Sequence, residues 1–258
     1  MIIAAVAVLT FIVHLLGSFA YSTRITGIIS RRLTVSLSVA NFFSLLSRLC
    51  SFLIIPLLSG KIEKEIQQGH TYTQVPLHYL WLLLAAVAGC MAGILFFSRS
   101  IRFFLRCVEH YTPNTNLVMV VSKAVFAKSA ETVPITAEKY QLNKTDWRYL
   151  ALNVLVICVF TSSTLAALYC AYLVPAFRVT ALSTAFLLNG IASFFFAAVI
   201  DPYLSILTDA TYNGHMKAAN FYYFVRVFLW SRMAGVLLSL ATFQVFIYSI
   251  VHVLKYLV

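Results

Sequence analysis

Acidic residues are scarce: eight Asp and Glu stand against nineteen Lys and Arg in 258 residues. Only 10% of the chain is charged while 61% is hydrophobic, and a mean hydropathy of +0.89 excludes a soluble domain of this size. The few acids are dispersed, so no carboxylate cluster is available for a metal-dependent phosphoryl-transfer site. No GxxxxGK[ST] loop occurs, and the chain does not itself use ATP through a P-loop. HExxH and GxSxG are missing, and Ser231-Arg232 lacks the histidine that a lipid phosphatase would place shortly after. The five cysteines (Cys50, Cys90, Cys107, Cys158, Cys170) form no CxxC pair; four lie in apolar runs and read as small hydrophobes without redox or metal roles. The every-second-residue alternation of a membrane barrel is absent too. No cofactor is called for.

What the chain has is long apolar runs. Six reach or approach the roughly 20 residues that a membrane span needs: residues 2–20, 33–59, 77–97, 149–174, 179–200 and 233–258. These define an all-α, polytopic membrane protein, one integral membrane domain over residues 1–258, with about six transmembrane helices and interfacial helices on the cytosolic side. The first, third (98–148) and fifth connections hold fourteen of the nineteen Lys and Arg, which puts them in the cytosol and both termini outside. The net charge of +11 then points to anionic lipid, since the basic residues border spans and no nucleic-acid recognition module is present. Ser18-Phe19-Ala20 resembles a cleavage site, but Arg24, Arg31 and Arg32 follow the first run instead of preceding it. That order reads as an uncleaved helix.

The second run carries an arginine at its centre, Arg48. Thr34, Ser38, Asn41, Ser44, Arg48 and Ser51 recur at steps of three and four, so they share one helical stripe, expected to face the bundle interior. A charge at bilayer depth costs about 2.5 to 3.5 kcal/mol on insertion scales and generally marks a pathway, a pair or a snorkelling side chain. The first run has its own stripe, Thr10, His14, Ser18 and Tyr21. At 1.5 Å per residue His14 and Asn41 lie at similar depth and could face one another across the hairpin; a histidine merely satisfied by a carbonyl is the competing reading. Arg48, Thr161, Asn189 and Gln244 all fall near mid-depth, a polar belt of the kind a transport site needs.

The connections carry further expectations. Residues 61–76 read as a solvated outer loop, and Gly89 and Gly93 as a small-xxx-small pair for close helix approach. Arg99, Arg102 and Arg106 form a basic ridge continuing the third helix into the headgroup layer. Residues 117–127 are apolar but too short to span, bracketed by the breakers Pro113 and Pro134. Asp201-Pro202 should end the fifth span, with Asp201 and Asp209 acting as caps or as gating or coupling groups. Residues 218–230, aromatic around Arg226, read as an interfacial segment before the last span. A faint repeat relates RLTVSLSVA (32–40) to RVTALSTA (178–185), in spans that would run oppositely.

The block FIVHLLGSFAYSTRITGIISRRLTVSLSVANFFSLLSR (11–48), the basic SRSIRFF (98–104) and LLNGIASFFFAAVIDPYLSILTDA (187–210) resemble the Amj family of bacterial lipid II flippases, alternates to MurJ. The resemblance implies a multi-pass plasma-membrane protein moving lipid II, an undecaprenyl-pyrophosphate-linked peptidoglycan precursor, to the outer leaflet. Arginine suits bidentate phosphate recognition, so Arg48, with Asn41 and His14 and with Arg24 at the cytosolic mouth, is the expected pyrophosphate site. His14 could couple transport to protons, although facilitated exchange down a lipid gradient needs no such step. Two other classes stay open: a membrane enzyme or transporter acting on another polyprenyl phosphate or phospholipid, and a non-transporting scaffold.

Overall fold

A backbone inside a bilayer must pair all its N–H and C=O groups within the chain, so apolar runs of this length resolve as helices. The computed structural model describes residues 2–68, 75–112, 114–127, 138 and 140–256, and six of its helices are long and apolar enough to cross a membrane, as expected. Pro113 and Pro134 lie outside the described residues, as do 69–74 of the outer loop and most of 128–139.

Several helices outrun the apolar stretches that announced them, because hydropathy marks only the hydrocarbon portion while helical hydrogen bonding continues beyond it. α1 spans Ile2–Ser30 and α2 spans Leu33–Gln67 with Pro56 inside, so residues 61–67 are helical and not loop. The α1–α2 turn is two residues long, with Arg31 in the left-handed region at a φ of 54°, a conformation costly for a side chain. It is held from outside: Arg31 donates to the Tyr212 carbonyl at 2.9 Å and lies 5.5 Å over its ring, while the Tyr212 hydroxyl donates to the Arg31 carbonyl at 3.4 Å. Arg32 donates to the Val108 and Tyr111 carbonyls at 2.7 and 3.2 Å, capping the next amphipathic helix.

α3 (Val75–Leu95) breaks at Phe96 into α4 (Phe97–His110). Phe97, Ile101, Phe104, Leu105 and Val108 of α4 are buried, and Arg99, Arg102 and Arg106 lie on its other face, so the basic ridge is a separate helix after a bend. α5 (Leu117–Phe126), capped by Asn116, leaves Val118, Val125 and Phe126 exposed. At about 15 Å it is too short to span.

α6 (Lys144–Leu173) leads through a single 3₁₀ turn into α7 (Arg178–Phe195). The chain does not stop at Pro202. It widens into a π-turn at Phe196–Ile200 and continues as α8 (Asp201–Tyr212), since a proline in the first turn of a helix needs no N–H and the wider turn takes up the missing bond. α9 (Ala218–Tyr256) is one continuous helix, about 58 Å long. The expected interfacial segment 218–230 is therefore core: Phe221, Phe224, Val225, Phe228 and Leu229 pack with Tyr21, Ile25, Phe97, Ile200 and Leu204 in the largest apolar cluster.

The helices group as three plus three. α1 is the hub for α2 and α3, and α6 is the hub for α7 and α9, with α3 and α1 meeting α9 along the seam. The two copies of the faint repeat fall at matching places, the starts of α2 and α7.

Candidate functional site

The last third of α1 is unusual for a span, because Ser18, Tyr21, Ser22, Thr23, Arg24 and Thr26 are all buried. Most hydroxyls return to their own helix, as Ser18 does to the His14 carbonyl and Thr26 to the Ser22 carbonyl, which satisfies them without a partner helix. Arg24 has no such option. Its guanidinium forms an ion pair with Asp201 and donates to Ser205 Oγ at 3.1 Å and Thr208 Oγ1 at 3.4 Å. These three acceptors step by four and three, so one face of α8 is shaped to a single arginine. The Arg24 side chain is 9% exposed and that of Asp201 48%, so the pair is open on its acidic side.

α8 is fastened on its other side too. Tyr203 donates to Asp146 at 2.5 Å and stacks on Tyr149, with centroids 3.8 Å apart. Asp146 is fully buried and closes a capping box with Asn143 at the start of α6: the Asp146 N–H donates to Asn143 and the Asn143 N–H to Asp146, each at 2.8 Å. Burial, and then the Asp146 carboxylate, push the Tyr140 hydroxyl above its usual range.

A second arginine was missed by the sequence reading, which counted it as a connection charge. Arg232 of α9 is nine-tenths buried, its guanidinium pressed on Gly17 of α1. It lies within electrostatic reach of Tyr21, Cys90 and His14, and its Nε has no hydrogen-bond partner. Tyr21 is within reach of Arg24 and Asp201 as well. His14 is buried beside Cys90, with Nδ1 to Sγ at 3.6 Å. Gly89 and Gly93 sit directly against Phe11 and Ser18, bearing out the close α1–α3 approach.

The rest of the expected belt does not assemble. Arg48 and Asn41 are exposed on α2, beside the exposed Leu45, Leu49 and Phe52, so the polar stripe faces outward and His14 and Asn41 do not meet. The helix instead buries Ser36, Val39 and Phe43, a face small enough at Ser36 to reach the Thr23 carbonyl and large enough at Phe43 to fill an aromatic cluster with Phe103 and Phe104. Asn189 ties α7 to α6, accepting from Ser163 at 2.8 Å and donating to Thr164 at 3.0 Å. Thr161 donates to the Ile157 carbonyl of its own helix, and Gln244 points outward from α9. Asp209 is exposed and stands apart from the Arg24 pair that Asp201 joins.

Six helices long and apolar enough to cross a membrane, with the buried arginines Arg24 and Arg232 between its two three-helix groups, define a polytopic α-helical membrane protein. The model of the family described as "Alternate to MurJ" (Amj) matches residues 9–254. The chain belongs to the Amj family. It is 23% identical over 237 residues to the lipid II flippase Amj of Bacillus subtilis (strain 168), an alignment covering 88% of this chain and 87% of that protein. No solved structure matches it significantly.

Proposed function

We propose that this protein is a lipid II flippase, carrying the peptidoglycan precursor from the inner to the outer leaflet of the bacterial plasma membrane. The observation that carries the reading, beside family membership, is the Arg24–Asp201 pair on the seam between the three-helix halves, open on its acidic side. A buried ion pair is weak evidence for stability, and ionised groups held between the helices of a membrane protein mark substrate pathways. Connections one, three and five face the cytosol and both termini face outward, which sets the basic face of α4 where an anionic headgroup would first be met. Arg48 and Asn41, on the open face of α2, meet the pyrophosphate of a lipid arriving sideways through the membrane. Asp201 acts as the gate on Arg24, with Asp209 at the cytosolic end of the same helix.

The chain acts as a carrier and not as an enzyme. Fluorescent lipid II in vesicles, probed by a membrane-impermeant headgroup reagent, should become accessible from both leaflets only when the purified protein is present. Accessibility equal to that in empty vesicles would overturn the reading, and release of phosphate from the lipid would favour an enzyme.

A further inference from the structure

The buried seam holds more positive charge than it neutralises. Arg24 has Asp201; Arg232 has no carboxylate among the described residues, and its Nε is unpartnered although the side chain is nine-tenths buried. Tyr21 and Cys90 offer Arg232 hydrogen bonds but no carboxylate, and a buried charge without a countercharge costs several kcal/mol. An anion reaching Arg232 would offset that cost. Arg232 presses on Gly17, seven residues before Arg24, so the two arginines meet one face of α1 two turns and about 10 Å apart along its axis, and Asp201 is the acid paired there.

We infer that Arg232 and Arg24 form a closed pyrophosphate site, in which the Asp201 carboxylate holds the position on Arg24 that a phosphate would take. This rests on the flippase reading, since the pyrophosphate diester of lipid II bears one negative charge on each phosphate and so matches the two guanidiniums. Arginine suits that ligand, presenting forked N–H groups to paired oxygens. The site opens by movement of α8. Asp201 is the first residue of that helix and follows the π-turn at Phe196–Ile200 directly; π-turns concentrate at functional sites and loosen the helix ladder. Shifting α8 withdraws the carboxylate, and the pyrophosphate takes its place on Arg24 while engaging Arg232.

The test measures binding to the full-length protein in nanodiscs, using undecaprenyl pyrophosphate, undecaprenyl monophosphate and inorganic pyrophosphate as separate probes. The wild type should prefer the pyrophosphate lipid. Arg232→Gln should weaken it about tenfold or more, the loss of charge-assisted hydrogen bonds. Asp201→Asn, which removes the internal competitor, should tighten it. These opposite signs are not what a purely structural pair of residues would give. Should Arg232→Gln not fold, the Asp201→Asn arm decides alone: folded protein with unchanged or weaker affinity overturns the site. Arg232→Gln that binds and flips like an active wild type overturns it as well, and leaves the flippase reading standing. A wild type that shows these affinities but does not flip lipid II sinks that reading and not the site. Binding of inorganic pyrophosphate without preference for the lipid would overturn the lipid as ligand.

Discussion

Asp201→Ala should destabilise the protein through the arginine it leaves behind. The Arg24 side chain is 9% exposed, while the Asp201 side chain, the open side of the pair, is 48% exposed. Breaking a fully buried pair costs about 3 to 5 kcal/mol, and an exposed pair contributes at most about 1 kcal/mol. One buried and one half-exposed partner put the expected loss at about 1 to 3 kcal/mol, moderated because Ser205 at 3.1 Å and Thr208 at 3.4 Å still accept from the guanidinium. Arg24→Met is expected to be milder, about 1 kcal/mol or less, since the buried stem is replaced in kind and Asp201 can hydrate through its open side. The double variant should then be more stable than Asp201→Ala alone. Thermal unfolding in detergent reads this as a fall of about 2 to 4 °C for each kcal/mol. An Asp201→Ala protein that melts with the wild type, or a double variant that loses the sum of both singles, would refute the reasoning.

Tyr203→Phe removes a donor from the buried Asp146 and should cost about 1 to 3 kcal/mol by the same melting assay; Tyr149→Phe, which keeps the ring stack, should cost far less. Gly89→Val and Gly93→Val should fail to yield folded protein, because the added carbons would enter the Phe11 backbone and Ser18 of α1. Gly190→Ala meets open space and should be neutral or stabilising by up to about 1 kcal/mol, the helix-propensity difference, as checked by melting temperature. Cys107 is fully buried and burial pushes its thiol up to about 12, so a maleimide at neutral pH should leave it unlabelled until the protein is denatured in SDS.

The six spans, the Gly89–Gly93 approach and the short apolar helix α5 were legible because each is a local property of the chain. What resisted was the choice of face. In water a polar stripe turns outward and an apolar one inward, but within lipid both surfaces of α2 are apolar apart from one line of residues, and packing shape decides. Ser36 and Phe43 fit α1 and α4, so Arg48 was turned out. Arg232 was hidden by the opposite error: it borders the hydropathic run beginning at residue 233, and nothing local reveals that α9 passes unbroken through it. The Arg24–Asp201 pair joins residues 177 positions apart, beyond the reach of any periodicity. Asn143 and Asp146, by contrast, stood in the open as an Asn-x-x-Asp capping signature.

The two-residue turn between α1 and α2 bears on how such a bundle can move. Arg31 fastens it to the last residue of α8, and Arg32 to the carbonyl end of α4, so four helix ends are riveted into one corner of the molecule. Any rocking of one half against the other that keeps these bonds pivots about that corner and opens most at the far end, where the last turns of α2 pass α6 and α7. A flexible insertion between Ser30 and Leu33 would leave every helix intact and yet unfasten the fulcrum.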